Sequence, residues 1–206
     1  MSQLLPIARA DVAYALLERT KSLETAPVVD LSPSESLLAR IQSGEIKLPT
    51  KVQELTQIKT LTYSLSAKAA LQLGIPLGDM SADGSTSVFV QDYAQYRELA
   101  EGAQKVLAGV AIRYTIAFRQ LGGNFKLSGL PMIAAAVQLN FAQASAKFDV
   151  LGMSSPRITE LVPVVSQLDV EAYAKYAEAL NAIKALIWDE KTYVEPTILA
   201  VVGEAR

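Results

Sequence analysis

A chain of 206 residues that is half apolar and carries a formal net charge of −2 is long enough for one sizeable core and too apolar for a disordered tail. It holds no histidine and no cysteine, which excludes disulfides, thiol nucleophiles, ordinary zinc sites and a Ser-His-Asp triad, while leaving a carboxylate-only Mg²⁺ or Ca²⁺ site allowed. The slightly acidic balance and the lack of any dense Lys/Arg run argue against a nucleic-acid partner.

The first residues, Met1 to Pro6, lack the basic and apolar regions of a secretory signal, and Gln138, Asn140 and Gln143 interrupt the most apolar window before it reaches membrane-spanning length. The expectation is a cytoplasmic chain, soluble when made. Residues 7 to 20 read as a helix, with Ile7, Val12, Ala15 and Leu16 on one face. Ala26 to Asp30 breaks it. Ser32-Pro33-Ser34-Glu35 is a helix start, with Ser32 as N-cap, Pro33 first and Glu35 third. Leu37, Leu38 and Ile41 give that helix an apolar side and Gly44 ends it.

Strict alternation of apolar residues then predicts strands, because successive side chains of an extended chain point to opposite faces. Residues 60–73 place Leu61, Tyr63, Leu65, Ala67, Ala69, Leu71 and Leu73 on one side. Residues 86–97 carry aromatics on both faces, as a strand covered on both sides would. The longest run, 106–120, alternates Val106, Ala108, Val110, Ile112, Tyr114, Ile116 and Phe118 with a mixed opposite face. Leu121-Gly122-Gly123-Asn124 reads as a hairpin turn, in preference to an anion-cradling loop, whose glycine spacing it lacks. Residues 133–151 fit a partner strand with a β-bulge near Phe141–Ala142, where the apolar parity switches. A helix also fits, because Ile133, Val137, Phe141 and Ala144 recur at helical spacing in an Ala-rich stretch. The strand is preferred because the turn and the strand before it call for a partner. Residues 157–162 read as a short strand ending at Pro163. Asp169 caps a helix over 170–188, with Tyr173, Ala177, Leu180, Ile183 and Ile187 inward and Glu171 and Lys175 paired outside. An apolar run over 196–202 predicts a last strand.

The fold class predicted is α+β in a single domain over 1–206. A mainly helical segment (1–57) precedes an antiparallel sheet (58–168, with long strands over about 60–73, 86–97, 106–120 and 133–151), followed by a helix and a last strand (169–206).

No pattern identifies a catalytic, cofactor-binding or metal-binding residue, and no cofactor is implied. Arg113 and Arg119, six residues apart on one face, could clamp an anion, although a cross-strand pair with Glu98 or Asp149 is the plainer role. Tyr93 and Tyr96 belong to an aromatic set with Tyr63, Tyr114, Phe89 and Phe118 that suits core packing or a ligand platform. Trp188 ends the C-terminal helix, as a partner anchor or, in the preferred reading, as part of the core. Arg113, Arg119, Tyr93, Tyr96 and Trp188 are therefore the candidate interface or ligand contacts.

Three functions are compatible with these features. The first is a non-catalytic protein that self-assembles or binds a protein partner through long amphipathic strands, as a homo-oligomer, with membrane activity or pore formation as a special case because the strands exceed the ~9–11 residues that cross a bilayer. The second is a binding module for an apolar small molecule or lipid. The third is a carboxylate-based enzyme.

Overall fold

The computed structural model describes residues 3–8, 29–30, 32–82, 84–121, 129–164 and 168–205. Most of the helix expected over 7–20, and the Gly122-Gly123-Asn124 turn, lie outside them. The architecture is α+β, built on an antiparallel sheet of long strands. In chain order the strands are β1 (Gln3–Pro6), β2 (Val29–Asp30), β3 (Gln57–Ser66), β4 (Thr86–Glu101), β5 (Gln104–Gln120), β6 (Ala142–Leu151), β7 (Met153–Ser154), β8 (Tyr193–Val194) and β9 (Thr197–Ala205). The helices are α1 (Ser32–Gln42), α2 (Ala67–Gln72), α3 (Leu130–Gln138), α4 (Pro156–Leu161) and α5 (Val170–Lys184), with a 3₁₀ turn at Val52–Glu54.

β5 is the spine. Its 17 residues span roughly 55 Å at ~3.3 Å per residue, and β4 pairs with it along nearly its whole length through the two-residue turn Gly102-Ala103. The other edge of β5 is shared. Residues Ala111–Gln120 pair with β6, whereas Val106–Gly109 pair with β9 across a register shift at Leu107/Ala108. β9 in turn pairs with β1 and β2, and β3 completes the far side against β4. Two glycines mark the point where β5 changes partner. A Cβ on Gly109 would lie 2.2 Å from the Gln95 carbonyl oxygen, and Gly152 holds φ +71 with Gly109 O 2.7 Å from where its own Cβ would be. Neither position accepts a larger residue without a backbone shift.

Both faces of β5 are buried. Leu107, Ala111 and Ala117 join Tyr63, Val90, Leu199 and the α1 residues Leu37, Leu38 and Ile41 in one core. Val110, Ile112, Tyr114 and Ile116 join Ile133, Phe148, Tyr176 and Ile183 in a second core, beneath α3, α4 and α5. There Tyr114 meets Phe148 edge-on at 5.0 Å and Tyr176 at 5.2 Å, and its hydroxyl donates to the Tyr176 carbonyl. Helices therefore cover the sheet on both sides, not one.

Four expectations are corrected. The strand predicted to Leu73 stops at Ser66, whose hydroxyl accepts from Ala69 N and caps α2. The alternating Ala67, Ala69 and Leu71 are small or strong helix formers that suit either period, and the cap decides. Residues 133–151 are not one bulged strand: α3 ends at Leu139, Asn140 turns back at φ 58 and β6 begins at Ala142, so the parity switch is a helix–strand junction. Residues 157–162 are not a strand but lie at helix α4, with Ser155 as N-cap accepting from Ile158 N and Pro156 first, the same Ser-Pro signature that opens α1. Trp188 is outside the core, 56% exposed.

Asp169 does cap α5, accepting from Ala172 N at 2.7 Å, and Glu171 pairs with Lys175 at 2.8 Å. Ile183 and Ile187 are buried as predicted, but the earlier turns bury Ala172, Tyr176 and Ala179, each one residue before the expected Tyr173, Ala177 and Leu180. α5 sits over a second core already filled by Phe148 and Tyr114, which sets its rotation. Among the described residues no helix is long and apolar enough to cross a membrane.

Candidate functional site

The two arginines share a face of β5 but not a site. Arg119 sits near the strand end and donates to Gln143 Oε1 at 2.9 Å, its register partner on β6. Arg113 is buried at mid-strand, 2% exposed, opposite Asp92 of β4, which is wholly buried. The pair is bidentate: Nε to Oδ1 at 2.7 Å and Nη2 to Oδ2 at 2.6 Å. Arg113 also donates through Nη2 to Leu199 O at 3.0 Å and through Nη1 to Ile7 O. Of the predicted partners, Glu98 is engaged with Lys105 at 3.0 Å, whereas Asp149 does stand opposite Arg113 as its register partner on β6 and its charge adds to that of Asp92, although its own ion pair is with Lys147 at 2.8 Å.

A planar guanidinium with five donors suits this position, because it satisfies a carboxylate and two main-chain carbonyls at once. Burial opposes its charge, but the Asp92 carboxylate outweighs that and holds Arg113 above its ordinary value. The cluster ties β4 and β5 to the ends of β1 and β9. With both Asp92 oxygens bound to the guanidinium, this carboxylate is poorly placed to take a proton from a substrate. Tyr63, from the same core, has its hydroxyl without a hydrogen-bond partner, and burial first, then the Asp92 charge, pushes its ionisation up.

Clefts of about 380 and 390 Å³ flank the 74–79 loop where it crosses β6, and both are lined by Pro76, Thr115 and Lys147. Arg113 lines the first, with its guanidinium engaged by Asp92 and by the carbonyls of Ile7 and Leu199. No three His, Cys, Asp or Glu side chains among the described residues are arranged to hold a metal.

The remaining candidates also fall apart. Tyr93 and Tyr96 point to opposite faces of β4. Tyr93 lies under Lys184 Nζ, 3.9 Å from the ring centre, a cation–π contact with α5. Tyr96 is buried and donates to Gln57 Oε1 at 3.1 Å. Trp188 is exposed. The five residues are thus divided between two cores, a strand end and solvent. What the sequence reading missed is Asp92 as the partner of Arg113, and it left a trace: Asp92 shares the alternation of Val88, Val90 and Ala94, an acid inside an otherwise apolar face.

Two long strands carry an edge that no described strand pairs with, although Leu61–Leu65 of β3 faces Gln3–Leu5 of β1 across a cleft of about 400 Å³. β3, β4, β5 and β6 are consecutive antiparallel neighbours, and among the described residues no strand pairs with the outer edge of β3 or of β6. β3 is ten residues long and exposes Ile58, Lys59, Thr60, Thr62 and Ser64. It contains no proline and one charge, the exposed Lys59, so it carries few of the devices that ordinarily keep an edge from pairing.

Comparison of the chain with protein-family models, with curated proteins and with solved structures finds no match.

Proposed function

We propose that the chain is a non-catalytic assembly protein whose copies join edge to edge through β3 and β6. The observation that carries this reading is the uninterrupted, scarcely charged β3 edge, which offers main-chain donors and acceptors along ten residues. Direction supports it too. Three antiparallel steps separate β3 from β6, so the two edges run oppositely, and β6 of one copy beside β3 of the next continues the antiparallel ladder. Such a head-to-tail contact uses two different surfaces and builds a ring or a filament. On this reading the chain is a cytoplasmic homo-oligomer, and the buried Asp92–Arg113 cluster keeps the long strands rigid enough to present straight edges.

Size-exclusion chromatography with light scattering tests it. A mass several times the 22.1 kDa of one chain is expected at micromolar concentration. Thr60→Lys with Thr62→Lys, both on exposed β3 positions, should return the particle to one chain with an unchanged circular dichroism spectrum. A wild-type monomer at that concentration, or a lysine variant of undiminished mass, rejects the proposal.

A further inference from the structure

We infer that the two clefts flanking the 74–79 loop form a binding site for a small uncharged amide with an apolar body. The floor is sheet: Arg113 and Thr115 on β5 stand opposite Asp149 and Lys147 on β6. The loop is held over it at both ends. Ile75 N donates to Ala70 O of α2 at 2.9 Å, and Gly78 rests so closely on β6 that a Cβ there would collide with Ser145 Oγ. At about 380 and 390 Å³ each cleft is within the range of small-ligand sites.

Two polar groups on this floor are left over by the fold. Thr115 is 2% exposed and lines both clefts, yet its hydroxyl bonds to no other group among the described residues. Arg113 uses Nε, both hydrogens of Nη2 and one of Nη1 on Asp92, Leu199 and Ile7. The other Nη1 hydrogen has no acceptor among the described residues. Buried donors without partners cost free energy, which a ligand carrying a matching acceptor would relieve.

The charges selects against an ion. Arg113 is neutralised by Asp92 and Lys147 by Asp149, while Asp79 adds a carboxylate to the second cleft. An anion would meet Asp149 and Asp79, and a cation would meet Lys147 and Arg113, so neither sign is favoured. An uncharged amide matches the groups present. Its oxygen accepts from Arg113 Nη1 and the Thr115 hydroxyl, and its N–H donates to Asp149. Its apolar body lies in the second cleft against Pro76, Pro163 and the exposed Val164. Neither cleft includes a residue of β3, so the site does not rest on edge-to-edge assembly.

The test is saturation-transfer NMR on the full chain with hexanamide, hexanoate and hexylammonium as probes. Hexanamide should bind with a Kd of roughly 1–10 mM, as befits so small a molecule, and each ion about fivefold more weakly. Thr115→Val should weaken hexanamide roughly fivefold without lowering the urea midpoint, because no bond within the protein is lost. Lys147→Met leaves Asp149 without its cation and should make hexylammonium the tightest of the three probes. Should Thr115→Val disturb folding, that reversal is read in its place. No hexanamide signal at roughly 50 mM, either ion binding wild type as tightly as hexanamide, full binding by a folded Thr115→Val chain, or an unchanged order of probes in Lys147→Met overturns the inference.

Discussion

Arg113 ties distant parts of the chain together, because one guanidinium serves a carboxylate on β4 and carbonyls at Ile7 and Leu199. Arg113→Met leaves Asp92 buried without its counter-charge and should cost about 3–5 kcal/mol, read as a lower urea midpoint. Adding Asp92→Asn should recover part of that, since the stranded charge goes, but not all, since both carbonyls still lack their donor. The buried tyrosines set the alkaline limit. Burial pushes Tyr176 up to about 12 from its ordinary 10.0 and raises Tyr114 and Tyr63 by the same cause. The unfolded chain therefore gives up these protons first, so the contribution to stability is whole below pH 10 and is lost as pH rises towards 12. Alkaline titration should show tyrosinate absorbance and loss of ellipticity developing together above pH 10. All eight tyrosines ionising near pH 10 in the folded chain would contradict this.

Among the elements, β5 depends on the place where it exchanges β9 for β6. Gly109 has Gln95 O and Tyr96 Cα within 2.6 Å of any Cβ it might carry, and both belong to the neighbouring strand, where no side chain can swing aside. Gly109→Ala should cost about 1–3 kcal/mol, seen as a lower melting temperature, while Gly44→Ala or Gly102→Ala, with open space but positive φ, should cost only about 1 kcal/mol. The helices show how local chemistry competes with periodicity. Ser66 and Ser155 each accept from an amide three residues on, and each starts a helix where a strand was expected, by alternation in the first case.

At the scale of the whole molecule, the outer edges of β3 and β6 have no strand partner among the described residues. If copies join through β3 and β6, dilution should lower the particle mass progressively and the β3 amides should be slow to exchange only in the assembled form. The α+β class, the spine at β5, the paired strand before it and the capped C-terminal helix were legible in the chain, because alternation and N-cap chemistry are local and survive without context. The Asp92–Arg113 pair, the division of the β5 edge between β6 and β9, the rotation of α5 and the exposure of Trp188 were not. Each depends on what another part of the chain places opposite: a carboxylate 21 residues away, a C-terminal strand, a core already filled by Tyr114 and Phe148. Sequence by itself determined which segments could be extended or coiled and which chemistries had no reagents. Only the tertiary structure decided which charges met, since burial in a shared core, not spacing along the chain, selects a partner.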